Sequence, residues 1–340
     1  MTKETPAGPD DIVILTECGV DIGYGHLMRC QSLARAFSNR GFKVRLVVAG
    51  DVPAGLLDPF TCAFEWRHDA AAIPPFQDAR LVLVDTYVAD LRCISLIEAT
   101  VRNVAFIDDF PYRDYRRGVV IDFTVGAESY AYLPPVRRDG VTYLLGCQYS
   151  PLRWPFEQWT PRRFEGPVKS LLLTFGGSDP RQLTRPVLEH LGVSLPGIER
   201  RVILGPGVSP TARHEVKRLD DLTVLEDVDA PTMQRLMAEA CICICGGGQT
   251  LYELASIGTP PIIIKLVDNQ SHDIREFCAR GFGRYIGDWD KPDLLPALVS
   301  AVEQLNDPTE RARLSAAGRA CVDGRGAQRL ADATLAGVLA

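Results

Sequence analysis

The chain has 340 residues, 46% of them hydrophobic and 24% charged, and a formal net charge of −6. That length buries a sizeable core and divides naturally into two domains, and nothing basic enough for a nucleic-acid groove is present, which excludes a nucleic-acid partner. No long uncharged apolar span occurs, and the polar N-terminus MTKETPAGPDD runs straight into strand-like IVILT, so a soluble, cytoplasmic protein without signal peptide or stable membrane insertion is expected.

In chain order, IVILT, KVRLVVAG, ARLVLVDTY, NVAFIDDF and VVIDFTVG are apolar strand-like runs, separated by stretches of helical period such as LMRCQSLARAFSNRGF. Strands alternating with helices imply a parallel sheet. Residues 150 to 167, SPLRWPFEQWTPRRFEGP, break the alternation with four prolines and read as an interdomain connection. A second alternation follows: KSLLLTFGGSD, ERRVILGPG, LTVLEDV, ACICICGGG and PPIIIKL as strands, with helices over 182–192, 210–219, 231–240, 249–257 and 270–280. From Asp293 to Ala340 the pattern is two or three helices. The expected fold is α/β, two Rossmann-like doubly wound domains facing a cleft, over 11–155 and 165–325, with 326–340 a terminal helix that packs back on the first domain. Neither Trp154 and Trp159 in the connection nor the terminal helices present a legible dimer face, so the oligomeric state stays open.

Ten cysteines raise the question of disulfides or metal. Cys241, Cys243 and Cys245 alternate along a strand, which spaces their sulfurs roughly 7 Å apart at about 3.3 Å per residue, too far for a tetrahedral site. With no C-x-x-C pair, the cysteines read as reduced core residues.

Ligands of open α/β sheets bind beyond the carboxyl ends of strands, so the chemistry should lie in the turns that follow them. After the first strand, Gly19, Gly23 and Gly25 lead to His26 at a helix start, with Arg29, Ser32 and Leu33 continuing the helix. A positive dipole end disfavours imidazolium, leaving a neutral ring able to accept a proton, as a general base requires; the alternative is a capping or packed histidine. After LTF come Gly176, Gly177, Ser178 and Asp179, which offer N–H groups and a hydroxyl to phosphate or sugar, or a helix N-cap before Arg181. VDTY and IDDF place Asp85, Tyr87, Asp108 and Asp109 at strand ends, where acids bind sugar hydroxyls, orient His26, or simply cap helices; no second acidic cluster completes a divalent-metal shell. After ACICIC, Gly246, Gly247 and Gly248 strip side chains from the strand end, and Gln249 and Thr250 open a helix with Glu253 one turn in. Orphan N–H groups and the helix dipole favour a diphosphate there, and Glu253 can accept from ribose hydroxyls; the alternative is an ordinary βα turn whose glycines allow tight packing. The loops LGPGVSP and LEDVDAP are candidates to meet the nucleotide base.

Taken in order, IGYGHLMRCQSLA, DTY, IDDF, LLGCQYSPLR, LTFGGSDP and GGGQTLYELASIGTPP with DNQ resemble the motif series of the pseudaminic-acid-pathway UDP-sugar hydrolases and the related spore-coat polysaccharide proteins, over residues 12 to about 285. That family is similar in turn to the GT-B glycosyltransferases. The resemblance implies a GT-B-like fold with the nucleotide on the C-terminal domain, His26 as base, Gly247, Gly248, Gln249 and Thr250 around the pyrophosphate, Glu253 on ribose, and Asn269 and Gln270 on the sugar or phosphate side. Gly23, Gly25, Arg29, Asp85, Tyr87, Asp109, Gly177 and Ser178 complete the expected substrate contacts. One departure stands out: Leu15, Thr16 and Glu17 occupy the place of an Arg-x-Asp pair carried by family members that act on the altrose-configured sugar, so this sequence lies closer to the spore-coat-like branch. The expected partner is a UDP-sugar, with no cofactor and no metal. The expected activity is hydrolysis with inversion; a glycosyltransferase, favoured if FPYRDYRRG forms a basic, aromatic lipid-docking surface, and a non-catalytic nucleotide-sugar binder are the alternatives.

Overall fold

The computed structural model describes residues 7–19, 22–68, 76–109, 113–130, 139–158 and 160–339. Phe110 to Tyr112 of the expected docking surface, and Trp159, lie outside the described residues. The chain forms two compact units, Met1–Arg153 with Arg325–Ala340, and Trp154–Gly324.

The first unit is built on a seven-stranded sheet in the order β3-β2-β1-β4-β5-β6-β7. Its strands are β1 (Asp11–Glu17), β2 (Lys43–Ala49), β3 (Thr61–Ala63), β4 (Leu81–Asp85), β5 (Val104–Ile107), β6 (Gly118–Asp122) and β7 (Val141–Leu145). Every assigned pairing is parallel. The apolar runs of β1, β4 and β5 are buried along their whole length, as strands covered on both faces must be. Helix α1 (Gly25–Ser38) buries Leu27, Cys30, Leu33, Ala34 and Phe37 at helical spacing in one core with Ala327, Leu330 and Ala331 of the last helix, α11 (Gly326–Leu339). Arg40, just past α1, pairs with Asp332 at 2.6 Å and donates to the Gln328 carbonyl, fastening α11 to this unit. The connections also hold α2 (Leu91–Thr100) and the short α3 (Ala127–Tyr130).

The second unit repeats the wiring in a six-stranded sheet, β10-β9-β8-β11-β12-β13. Its strands are β8 (Ser170–Thr174), β9 (Glu199–Leu204), β10 (Leu222–Glu226), β11 (Ile242–Cys245), β12 (Pro261–Lys265) and β13 (Arg284–Asp288). Helices α4 (Thr184–Ser194), α5 (Pro210–Val216), α6 (Ala230–Glu239), α7 (Gln249–Ile257), α8 (Ser271–Ala279), α9 (Leu294–Gln304) and α10 (Pro308–Cys321) fill the connections and the end of the unit. Helix α7 is buried from Leu251 to Ile257, consistent with its packing against α10, and Gly258 ends it in a left-handed C-cap.

Three strands fall outside the sequence expectation: β3, β7 and β13. Each is short and partly exposed, so none shows the continuous apolar run of a doubly covered strand. The first helix of the second unit starts at Thr184 rather than 182, because Asp179 and Gln182 adopt left-handed backbone (φ 44° and 54°) and delay it. The cysteines are free; Cys18, Cys30, Cys93, Cys243 and Cys245 are core residues, whereas Cys62, Cys147, Cys241, Cys278 and Cys321 are half-buried.

Candidate active site

In a doubly wound sheet the connections on either side of the reversal point leave in opposite directions and open a crevice at the carboxyl edge. In the first unit the reversal lies between β1 and β4, in the second between β8 and β11. The motifs singled out above as GYGH, DTY, FGGSD and GGGQT follow those four strands.

After β1 the chain turns through Gly23, which bridges back to Gly19, and delivers His26 into the first turn of α1, whose N-cap Tyr24 makes no side-chain cap bond. His26 is buried, at 4% exposure, and its Nδ1 lies 2.8 Å from Asp85 Oδ1 at the end of β4. A carboxylate only accepts, so Asp85 calls for a proton on Nδ1, although Arg29 Nη2 lies 3.0 Å from the same nitrogen; in the neutral ring with that tautomer Nε2 is the acceptor. Among the described residues no hydrogen bond takes up Nε2.

Asp85 is fully buried, and Arg29 Nε (2.6 Å), Arg29 Nη2 and Cys30 Sγ (3.3 Å) also converge on it. Burial alone would push this carboxyl up, but the Arg29 and His26 groups beside it overcome that and hold it well below the usual carboxylate range. Arg29 Nη1 reaches on to Asp109 Oδ2 at 2.8 Å. The Tyr87 hydroxyl donates to the same carboxylate at 2.8 Å, and the Tyr87 ring stands edge-on to the His26 ring, centroids 4.3 Å apart. The contacts thus close into a ring: His26, Asp85, Arg29, Asp109, Tyr87 and back to His26. Burial, then Asp109, pushes the Tyr87 hydroxyl well above its ordinary value, so it acts as a donor.

Two residues of the expected substrate set, Arg29 and Asp85, are buried and paired with each other, and Asp85 meets His26 as the sequence reading had also left open. Buried charges demand such pairing. Tyr87, at 46% exposure, and Asp109 remain nearer the surface. In the segment FPYRDYRRG, the candidate docking surface of the transferase alternative, Arg116 is exposed and three other residues are engaged. Tyr115 is buried and stacked on Phe106, Arg113 donates to the Thr86 carbonyl, and Arg117 is spent on carbonyls of Glu98, Val101 and Arg102.

A residue the sequence reading passed over lies beneath Tyr87. Glu17, the last residue of β1, is fully buried; it accepts the Thr86 hydroxyl at 2.6 Å and the Tyr87 N–H at 2.7 Å. A carboxylate closing the strand whose centre is the apolar run IVIL was the available signal. Asp108 and Asp122 lie in the same unit; burial pushes their carboxyls up, to about 6 and about 7.

The second unit offers backbone instead of charge. Gly176, Gly177 and Ser178 are exposed after β8, braced by the loop after β9, where the Gly207 N–H donates to the Gly177 carbonyl at 2.7 Å. Asp179 takes the capping role, accepting from the N–H groups of Leu183 and Thr184 at 3.0 Å. The LGPG loop, expected near a base, thus backs this turn. After β11 the glycines divide. A Cβ on Gly247 would lie 2.5 Å from Ile274 and one on Gly246 2.9 Å from Leu266, so these two serve packing against β12 and α8. Gly248 is open, caps α7 without a side-chain bond, and precedes exposed Gln249 and half-buried Thr250. Glu253 sits one turn in, at 6% exposure. Asn269 is exposed, but Gln270 accepts from the Leu266 N–H at 2.9 Å and lies against Gly246, which ties it into the loop.

Among the described residues no group of acidic, histidine or cysteine side chains has metal-holding geometry, and no helix is long and apolar enough to cross a membrane. No family model matches the chain. It is 24% identical over 276 residues, 79% of this chain and 47% of the relative, to the pseudaminic acid cytidylyltransferase and UDP-2,4-diacetamido-2,4,6-trideoxy-beta-L-altropyranose hydrolase of Helicobacter pylori. It is 28% identical over 171 residues, 48% of each chain, to the spore coat polysaccharide biosynthesis protein SpsG of Bacillus subtilis. The chain spans about half the length of the curated relatives it matches. Its fold is also that of the glycotransferase of kitacinnamycin, at a TM-score of 0.64 and 16% identity, covering 98% of this chain and 99% of that one. The chain is therefore related to the UDP-sugar hydrolase and spore-coat polysaccharide proteins whose motif series it carries, on the two-domain Rossmann-like fold of the GT-B glycosyltransferases.

Proposed function

We propose that the chain is a nucleotide-sugar hydrolase that releases UDP from an amino-deoxy UDP-sugar, in the cytoplasm, during the making of surface or secreted polysaccharide sugars. The observation that carries this reading is His26, buried in the first turn of α1 with Nδ1 2.8 Å from the buried Asp85 carboxylate and, among the described residues, no hydrogen bond on Nε2. A neutral ring protonated on Nδ1 would present Nε2 as the acceptor a general base needs. In this reading water gives a proton to Nε2 as its oxygen bonds the anomeric carbon on the face opposite the diphosphate. The carbon–oxygen bond to UDP breaks with its electron pair leaving on the phosphate, and the sugar inverts.

Diphosphate is a good leaving group, so charge stabilisation by backbone donors matters more than a strong acid. The amides at Gly248, Gln249 and Thr250, with the dipole of α7, suit that task, and in this reading Glu253 serves ribose. Gly177 and Ser178 offer further donors, and Gly247 contributes through its backbone alone. Asn269 is the freer of the two polar side chains after β12. Tyr87 and Asp109, with the backbone of Gly23 and Gly25, are left to meet the sugar. Hydrolysis rather than transfer to a lipid acceptor is also supported by the commitment of Tyr115, Arg113 and Arg117 to internal contacts.

The test is incubation with a panel of UDP- and CMP-sugars, with and without acceptor alcohols, monitoring free nucleotide. Release from a UDP-sugar without acceptor is expected. Release only with an acceptor makes the protein a transferase, and binding without release makes it a carrier.

A further inference from the structure

In the closed ring around His26, Asp85 sits on a strand and His26 and Arg29 sit on α1, whereas Asp109 lies just past β5 and Tyr87, whose ring stands against the imidazole, lies in the loop between β4 and α2. That loop is half-exposed, at 46% for Tyr87 and 48% for Val88. What holds it is Glu17, whose carboxylate crosses from β1 to the loop after β4. One oxygen accepts the N–H groups of Tyr87 (2.7 Å) and Val88 (3.4 Å), the other the Thr86 hydroxyl (2.6 Å). Thr86 Oγ1 in turn accepts the Ala89 N–H at 3.0 Å. Behind the carboxylate, Arg67 lies 3.9 Å away, and the Arg67 carbonyl accepts the Asp90 N–H at 3.1 Å. A buried carboxylate is stable only when its lone pairs are taken, so Glu17 and this loop order each other.

We propose that Glu17 is a positioning residue for His26: it fixes residues 86–88 so that the Tyr87 ring stands against the imidazole. Asp85 fixes one nitrogen of the ring and leaves its tilt free; the edge of Tyr87 removes that freedom. The place where this sequence departs from the Arg-x-Asp pattern is therefore occupied by a working part, and the proposal rests on the reading of His26 as base.

The test uses Glu17→Gln, which keeps the shape but loses the charge and cannot accept from the hydroxyl and both amides together. Two readouts are taken on the full-length protein: steady-state hydrolysis of the nucleotide sugar found in the panel, and the rate at which diethyl pyrocarbonate modifies His26, followed peptide by peptide. The expected result is kcat lower by about tenfold, KM within about twofold, and His26 modified about threefold faster as Tyr87 loosens. Thr86→Val, which removes one leg of the clamp, moves both readouts the same way by less and serves if Glu17→Gln does not fold. A folded Glu17→Gln protein with unchanged His26 modification overturns the proposal, whatever its kcat. His26→Ala is run alongside; if it retains turnover, the base assignment fails, while the modification rate still decides whether Glu17 sets Tyr87 against His26.

Discussion

The two sheets reverse at equivalent places, between β1 and β4 and between β8 and β11, yet they put opposite chemistry there. The first reversal point carries buried charge: Asp85 and Arg29 paired, with His26 and Cys30 bonded to the same carboxylate. The second carries exposed backbone at Gly176 to Ser178 and half-buried Gly248, and of its two buried acids Asp179 is used up as a cap while Glu253 lies one turn into α7. A charged network is costly to desolvate unless each member is partnered, so the first site is closed and rigid. Bare amides ask for an anion from outside, so the second is complementary to a ligand. The same wiring thus suits proton handling in one unit and anion binding in the other.

The sharpest way to break this division is to remove the base. His26→Ala should lower turnover by about 10²- to 10⁴-fold, the usual worth of a general base, while UDP affinity measured by calorimetry stays within about threefold. Loss of UDP binding in parallel with turnover would mean that the two units do not divide the labour.

A second experiment sharpens the contrast inside the second unit. Gly247→Ala places a methyl 2.5 Å from Ile274 in a packed turn and should destabilise the fold by about 1–3 kcal/mol. Gly248→Ala meets only the Gln270 side-chain nitrogen, at an ordinary 3.9 Å and a φ of −96°, so the fold should tolerate it, and UDP should bind about tenfold more weakly as the methyl crowds the phosphate. Thermal unfolding and UDP titration of the two variants read this directly. Equal effects of both variants on stability would show that the glycines form one packing unit with no open member.

How far these sites are legible in the sequence depends on distance along the chain. Strands such as IVILT and LVLVD declare themselves because both faces are covered, whereas β7 and β13 mix exposed and buried positions and do not. His26 at a helix start and GGGQT before α7 are local signals, readable from neighbours alone. Its partner is not. Asp85, Asp108 and Asp109 all end strands, and choosing among them requires knowing that β4 is hydrogen-bonded to β1 while β5 lies one strand further out. Gly246 and Gly247 look like Gly248 in sequence, and only the approach of Leu266 and Ile274 separates packing from openness. Glu17 contacts a loop some seventy residues later, beyond any local pattern.

The smallest expected effect concerns charge load, which the comparison confines to the first unit. Asp122 is fully buried at the end of β6; its Oδ1 accepts from the Thr124 N–H at 2.9 Å, and among the described residues no hydrogen bond is found for its Oδ2. Burial first, then Asp109 and Asp108, push its carboxyl up to about 7, although the Thr124 bonds pull the other way. Between the unfolded value near 4 and about 7, the folded state therefore holds a proton that the unfolded chain has released. The stability this contributes is fully present below the unfolded value and is lost as pH rises through the folded one. Asp85, held below its usual range, has the opposite sign, and its contribution is lost only in acid. Asp122→Asn removes the upper loss. The variant should match the wild-type melting temperature at pH 4 and exceed it at pH 8, the rise from near 4 to about 7 corresponding to at most about 4 kcal/mol. Asp108, raised to about 6, keeps part of the slope in both proteins. Identical melting temperatures at pH 8 would place the proton elsewhere, and the charge load of the first unit would then be fully paired.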